Sequence, residues 1–205
     1  MRAWETLFEK GGLGLHENLF KALNPKTFHQ EDQQLTQLII QLYTMETFLY
    51  ESLCKAAQSQ DESKVKNLGP FACALRAILH GNTDVPDKVA YRGLLLDKQE
   101  FDYFKMASKA NEKIKLQGFT SASADKEYAM KALLRKYRDH QEKIPVMVQI
   151  FLQQNIDTFE ADSGACSQFH LTEKEIVLLD GMAFRFASAI HRQDGRVQQM
   201  NLIQL

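Results

Sequence analysis

No stretch of this 205-residue chain stays apolar long enough to cross a bilayer, which takes about 20 residues. Residues 1–10 hold no apolar core of the kind a secretory signal carries. Neither sign of charge is in excess, with 25 Lys and Arg against 26 Asp and Glu. Bulk charge therefore gives no ground for nucleic-acid binding. Cysteine is scarce and odd in number: Cys54, Cys73 and Cys166. That excludes a patterned disulfide framework and favours a reducing compartment. The expectation is an intracellular chain, or one exported without a readable signal; the compartment itself stays open. The six histidines fall in no H-E-x-x-H, and no Cys-x-x-Cys is present, so no metal site is expected. Gly11-Gly12-Leu13-Gly14 lacks the preceding apolar strand and the third glycine of a dinucleotide loop, and reads as a turn. Cys166 with His170 matches no nucleophile signature. Repeats and low-complexity tracts are missing as well.

What is there is an ordinary globular composition, 44% hydrophobic and 25% charged. The length suffices for a substantial core, and one domain over 1–205 is expected. Leu35, Leu38, Ile39, Leu42, Leu49 and Leu53 recur at helical spacing. A second helical stretch opens at Asp61-Glu62-Ser63. Pro70 is expected to break it into a short helix and a longer one, with Gly81-Asn82 as the end. Residues 1–85 thus form a mainly helical part.

From about residue 86 the pattern changes. Val89 to Leu94 reads as a strand. Asp97-Lys98-Gln99-Glu100 has the spacing of a capping box and opens a helix to about Lys109. Ile114 to Phe119 reads as a strand, and Asp125 with Glu127 starts a helix to about Arg138. Val146, Val148 and Ile150 alternate in a strand over Pro145–Leu152, and Thr158-Phe159-Glu160 is a short one. Asp162–Thr172 reads as a loop. Ile176 to Leu179 is a buried strand. Asp180-Gly181 and Asp194-Gly195 mark turns around a strand bearing Phe184 and Phe186. Helices first and hairpin-joined strands later make an α+β chain.

Three strand ends carry chemistry. Arg92 follows an apolar strand and offers five donors in a fixed plane, suited to phosphate; Gly93 next to it permits close approach of a ligand to the backbone. Gly118-Phe119-Thr120-Ser121-Ala122-Ser123 is a strand end rich in hydroxyls, able to hold a carboxylate, although Ser123 with Asp125 also suits a helix cap. Glu173 and Glu175 stand two apart before the buried strand, so in extended chain they share a face. One of two such acids can stabilise a developing cation while the other takes a proton. Lys131, Arg135, Lys136 and Arg138 form a basic cluster, read first as a solvated face and second as the rim of a phosphate cleft.

In the order Arg, Ser-x-Ser, Glu-x-Glu, the chain resembles the mono-ADP-ribosyltransferases of the R-S-E class over roughly residues 89–190. Ala122 departs from the family's S-T-S at its central position. The resemblance implies an ADP-ribosyltransferase-like fold: N-terminal helices, then two packed, mainly antiparallel sheets around an NAD cleft. It implies NAD as co-substrate without a metal, with Arg92 on its phosphates and Gly93 on the nicotinamide amide. Ser121 would position the catalytic Glu175, with Ser123 beside it. Glu173, in place of the glutamine of asparagine- or glutamine-modifying relatives, would activate an arginine acceptor. Phe169, in the loop before the acids, would help to recognise the substrate or else pack beneath its own loop. The implied partner is a protein with an accessible arginine; a monomer is compatible with this. Two alternatives stand beside transfer: an NAD glycohydrolase on the same scaffold, and an inactive binding module of that fold.

Overall fold

The computed structural model describes residues 39, 43, 48–59, 62–80, 88–116, 118–153, 158–160, 175–179, 181–194 and 196–205. Its first part is helical: α1 (Phe48–Ser59), a 3-10 turn (Glu62–Lys64) and α2 (Val65–His80). Leu53 and Ala56 of α1, and Ala72, Ala74, Leu75 and Ile78 of α2, bury with Ile39 and Tyr43. Pro70 does not split α2, contrary to the sequence expectation. Proline removes one backbone hydrogen bond. Leu68 before the proline and Ala72, Ala74, Leu75 and Ile78 after it pack on one cluster, so burial on both sides of Pro70 offsets the loss. The expected cap at Gly81-Asn82 lies outside the described residues.

β1 (Lys88–Leu96) runs into α3 (Lys98–Ala110) through the capping box read from the sequence. Asp97 Oδ1 accepts from Glu100 N at 2.8 Å, and Glu100 Oε2 accepts from Asp97 N at 2.9 Å. Next come β2 (Lys113–Lys115) and β3 (Thr120–Ser123), in place of one strand over 114–119. Gly118 sits between them with φ 83°, a conformation that turns the chain. α4 (Lys126–Asp139) follows, capped by Asp125. The remaining elements are β4 (Ile144–Leu152), β5 (Thr158–Glu160), β6 (Glu175–Leu178), β7 (Ala183–Phe186), β8 (His191–Asp194) and β9 (Val197–Gln204). Gly181 takes φ 79° in the turn that the sequence marked. Among the described residues no helix is long and apolar enough to cross a membrane.

The strands lie in the order β2-β7-β9-β4-β1-β3-β6-β5, with β8 also on β9. All pairs are antiparallel except β4 with β9. The path narrows at β1–β3, where one register pair, Tyr91↔Ser123, joins the two sides. The nine strands form one continuous sheet, and the expected two sheets are its two parts, β2-β7-β9-β4-β1 with β8 on β9, and β3-β6-β5, joined at that pair. Their inner faces pack on each other. Ala122, Ile176 and Leu178 from the smaller sheet share a core with Ala90, Val148, Ile150, Phe184 and Leu202 from the larger. α4 covers part of the larger sheet's outer face through Ala129 and Leu133 against Met147 and Val197. The helical part backs the smaller sheet, where Phe119, Val177 and Leu179 join its cluster. This is the expected α+β arrangement of N-terminal helices and two packed sheets.

Candidate active site

Alternation along β1 sends Ala90, Leu94 and Leu96 into the core between the sheets, and Tyr91 and Leu95 toward α4. Arg92 shares the first face and Gly93 the second. A regular antiparallel ladder would continue from Tyr91↔Ser123 to pair Arg92 with Ala122 and Gly93 with Ser121. It does not, and the strands part. Arg92 Nη1 instead donates to Ser121 O at 2.6 Å, a side chain bridging the gap that the backbone leaves. The parted strands leave Arg92 and Gly93 on one side of that gap and β3 on the other, the candidate cleft.

Gly93 has a second duty, which the sequence did not announce. A Cβ placed on it would stand 2.6 Å from Leu133 Cβ of α4. Glycine at 93 is thus what lets α4 seat against β1.

The far wall is polar by design of register. Ser123 lies opposite Glu175 and Ser121 opposite Val177. Opposed residues share a face, so Ser121, Ser123 and Glu175 do. Across the diagonal, Ser121 Oγ donates to Glu175 Oε1. Glu175 is only 4% exposed. A glutamate is rarely enclosed unless paired. Ser123 Oγ accepts from Asp125 N at 2.9 Å, so it shapes the turn into α4, the alternative read from the sequence. Ala122 points the other way, into the core beside Ile176. An apolar residue fits there, which accounts for the departure from Ser-Thr-Ser.

Two residues that no sequence motif singles out support this wall. Tyr43, fully buried, meets the Phe119 ring edge-on at 5.9 Å. Cys54 Sγ donates to Phe119 O at 3.7 Å. Both fix the chain two residues before Ser121. Their only signal was position in an apolar helical stretch.

Glu173, Phe169, Cys166 and His170 lie outside the described residues, as does the loop over 162–172. The basic cluster on α4 has the solvated character that the sequence reading put first. Lys131, Arg135, Lys136 and Arg138 are exposed. Lys131, Arg135 and Arg138 stand on the side of the helix opposite Leu133, which abuts β1. Among the described residues no three His, Cys, Asp or Glu side chains gather as a metal site.

Neither protein-family models nor curated protein sequences match the chain significantly. Solved structures do. The ADP-ribosyltransferase HopU1 of Pseudomonas syringae superposes with a TM-score of 0.65 at 17% identity, over 83% of this chain and 76% of that one. C3stau2 from Staphylococcus aureus, solved with NAD, gives 0.64 at 13% identity, over 94% and 95%. The ADP-ribosyltransferase Vis of Vibrio splendidus, in complex with agmatine, gives 0.62 at 14%, over 96% and 86%. At such identities the likeness establishes the fold.

Proposed function

We propose that this chain transfers ADP-ribose from NAD to arginine side chains of a target protein and releases nicotinamide. The observation that carries the proposal is the buried Glu175 held by Ser121, across a parted strand pair from Arg92. Two of the superposed structures support it by their contents, one with NAD and one with agmatine, a small guanidinium compound.

Each residue has work that follows from its chemistry. Arg92 spends one donor on Ser121 O and has others left for the NAD pyrophosphate. Gly93 leaves its backbone open to the nicotinamide amide on the side not filled by Leu133. Cleavage breaks the bond between the ribose C1′ and the nicotinamide nitrogen, and the bonding pair leaves with nicotinamide. Positive charge builds on the sugar. Glu175, fixed in advance and shielded from water, stabilises that charge. Ser121 fixes its rotamer. A guanidinium then bonds to C1′ through nitrogen and must lose a proton. Glu173, two residues before Glu175, is assigned that proton.

The test is incubation with NAD labelled in its adenylate part, with and without an arginine-rich acceptor protein. Label on the acceptor, removable by reagents that cleave the arginine linkage, is the expected result. Free ADP-ribose alone means a glycohydrolase. Neither product means an inactive module.

A further inference from the structure

On the outer face of the larger sheet, α4 covers the end built around Leu95, Met147 and Val197. Among the described residues no helix packs on the other end, and one cross-strand row runs along it. Val89 pairs with Phe151, Phe151 with Ile203, Ile203 with Arg185 and Arg185 with Lys113. Directly opposed residues share a face, so all five side chains project together. Phe151 is 37% exposed and Leu205, beside the row, is 49% exposed. Arg185, Lys113 and Lys115 are exposed as well. No carboxylate among the described residues pairs with these three cations.

A single exposed apolar residue needs no explanation. Lysines on an edge strand commonly guard it against pairing with another chain, which accounts for Lys113 and Lys115 on β2. It does not account for Arg185 on the interior strand β7. Like charges directly opposed across strands destabilise a sheet, and Lys113 faces Arg185. Nor does it account for an apolar row that is continuous with the cations.

We propose that this end is a docking site for an acidic amphipathic helix of a partner protein. The cations lie together at the β2–β7 end of the row, and the apolar residues at the β4–β1 end. The matching occupant carries an apolar stripe with acidic residues along one flank. The shape agrees. A helix is about 10 Å thick, so α4 stands above the sheet and leaves a step beside it. A second helix fills that step. A flat bilayer resting on α4 does not reach it. Acidic groups next to Lys113 and Arg185 relieve their mutual repulsion.

The probe is a labelled peptide of about 18 residues, five helical turns, with leucines at i, i+3, i+4 and i+7 and glutamates on one flank. Fluorescence anisotropy is read on the full chain. Saturable binding is expected, and about tenfold weaker binding to a scrambled peptide of the same composition. Lys113→Glu with Arg185→Glu is expected to weaken binding about tenfold or more, and to bind instead a peptide with lysine in place of glutamate. Phe151→Ala weakens both. Lys113 and Arg185 are exposed on β2 and β7, at the opposite end of the strand order from β3 and β6, so the charge variants keep their melting temperature and nicotinamide release. Should the double reversal fail to fold, Lys113→Gln with Arg185→Gln gives the same reading of the acidic peptide. Equal binding of ordered and scrambled peptides overturns the proposal. So does undiminished binding by a folded charge variant, or binding only to vesicles containing phosphatidylserine.

Discussion

Leu133 and Gly93 are in contact so close that a side chain on Gly93 would place its first carbon 2.6 Å from Leu133 Cβ. The helix carrying the basic cluster and the strand carrying Arg92 are thereby locked together. Gly93→Ala forces α4 off β1, and overpacking of this kind costs about 1–3 kcal/mol. The expected outcome is a lower melting temperature. Leu133→Ala added to Gly93→Ala does not recover it, because alanine keeps the Cβ that a side chain at 93 would meet. A Gly93→Ala protein of unchanged stability contradicts this packing.

Arg92→Lys keeps the charge and loses the planar fork. Lysine has no second nitrogen to reach a phosphate while the first holds Ser121 O, the arrangement proposed for Arg92. Weaker NAD binding by calorimetric titration is expected, with lower turnover. Equal affinity for NAD removes Arg92 from the cleft.

Much of this arrangement was legible in the sequence, and the limits have physical causes. The capping box at Asp97 and Glu100 is a local device, and it appears as read. So does the alternation of Val146, Val148 and Ile150. Pro70 misled because its cost is local, whereas the burial that offsets it comes from tertiary packing. The strand over 114–119 was too long because Gly118 turns the chain inside an otherwise apolar run. The pairing of Ser121 with Glu175 was reached through a family pattern, and their register supplies the diagonal. The second duty of Gly93 depends on Leu133, forty residues away, and no local pattern reports it. The row from Val89 to Lys113 likewise exists only through the register of five strands.

Burial pushes the Cys73 thiol up from its ordinary value, while Arg76 nearby pulls the other way. In the unfolded chain the thiol ionises near its ordinary value. In the folded chain it ionises later. Stability attributable to this group is therefore intact below pH 9.0 and declines as pH rises past it. Alkylation at pH 8, followed by peptide mapping, is expected to mark Cys73 more slowly in the folded chain than in denaturant. Equal rates contradict the burial argument.

Glu173→Gln separates the two acids. In the proposed mechanism nicotinamide release needs Glu175 whatever the acceptor, and the task of Glu173 concerns only the guanidinium. Arginine modification is expected to fall while nicotinamide release with water as acceptor largely persists. A parallel fall of both rates on one purified variant contradicts the division of labour.

The most direct measurement is nicotinamide release from NAD by Glu175→Gln. The amide keeps the shape of the carboxyl group and its place opposite Ser123, but not its charge. Losing one well-placed electrostatic stabiliser costs about 10²–10³ in rate. The account predicts a folded variant, with wild-type melting behaviour or better, that binds NAD and releases nicotinamide about 10²–10³ more slowly. A folded Glu175→Gln chain with near wild-type release contradicts it.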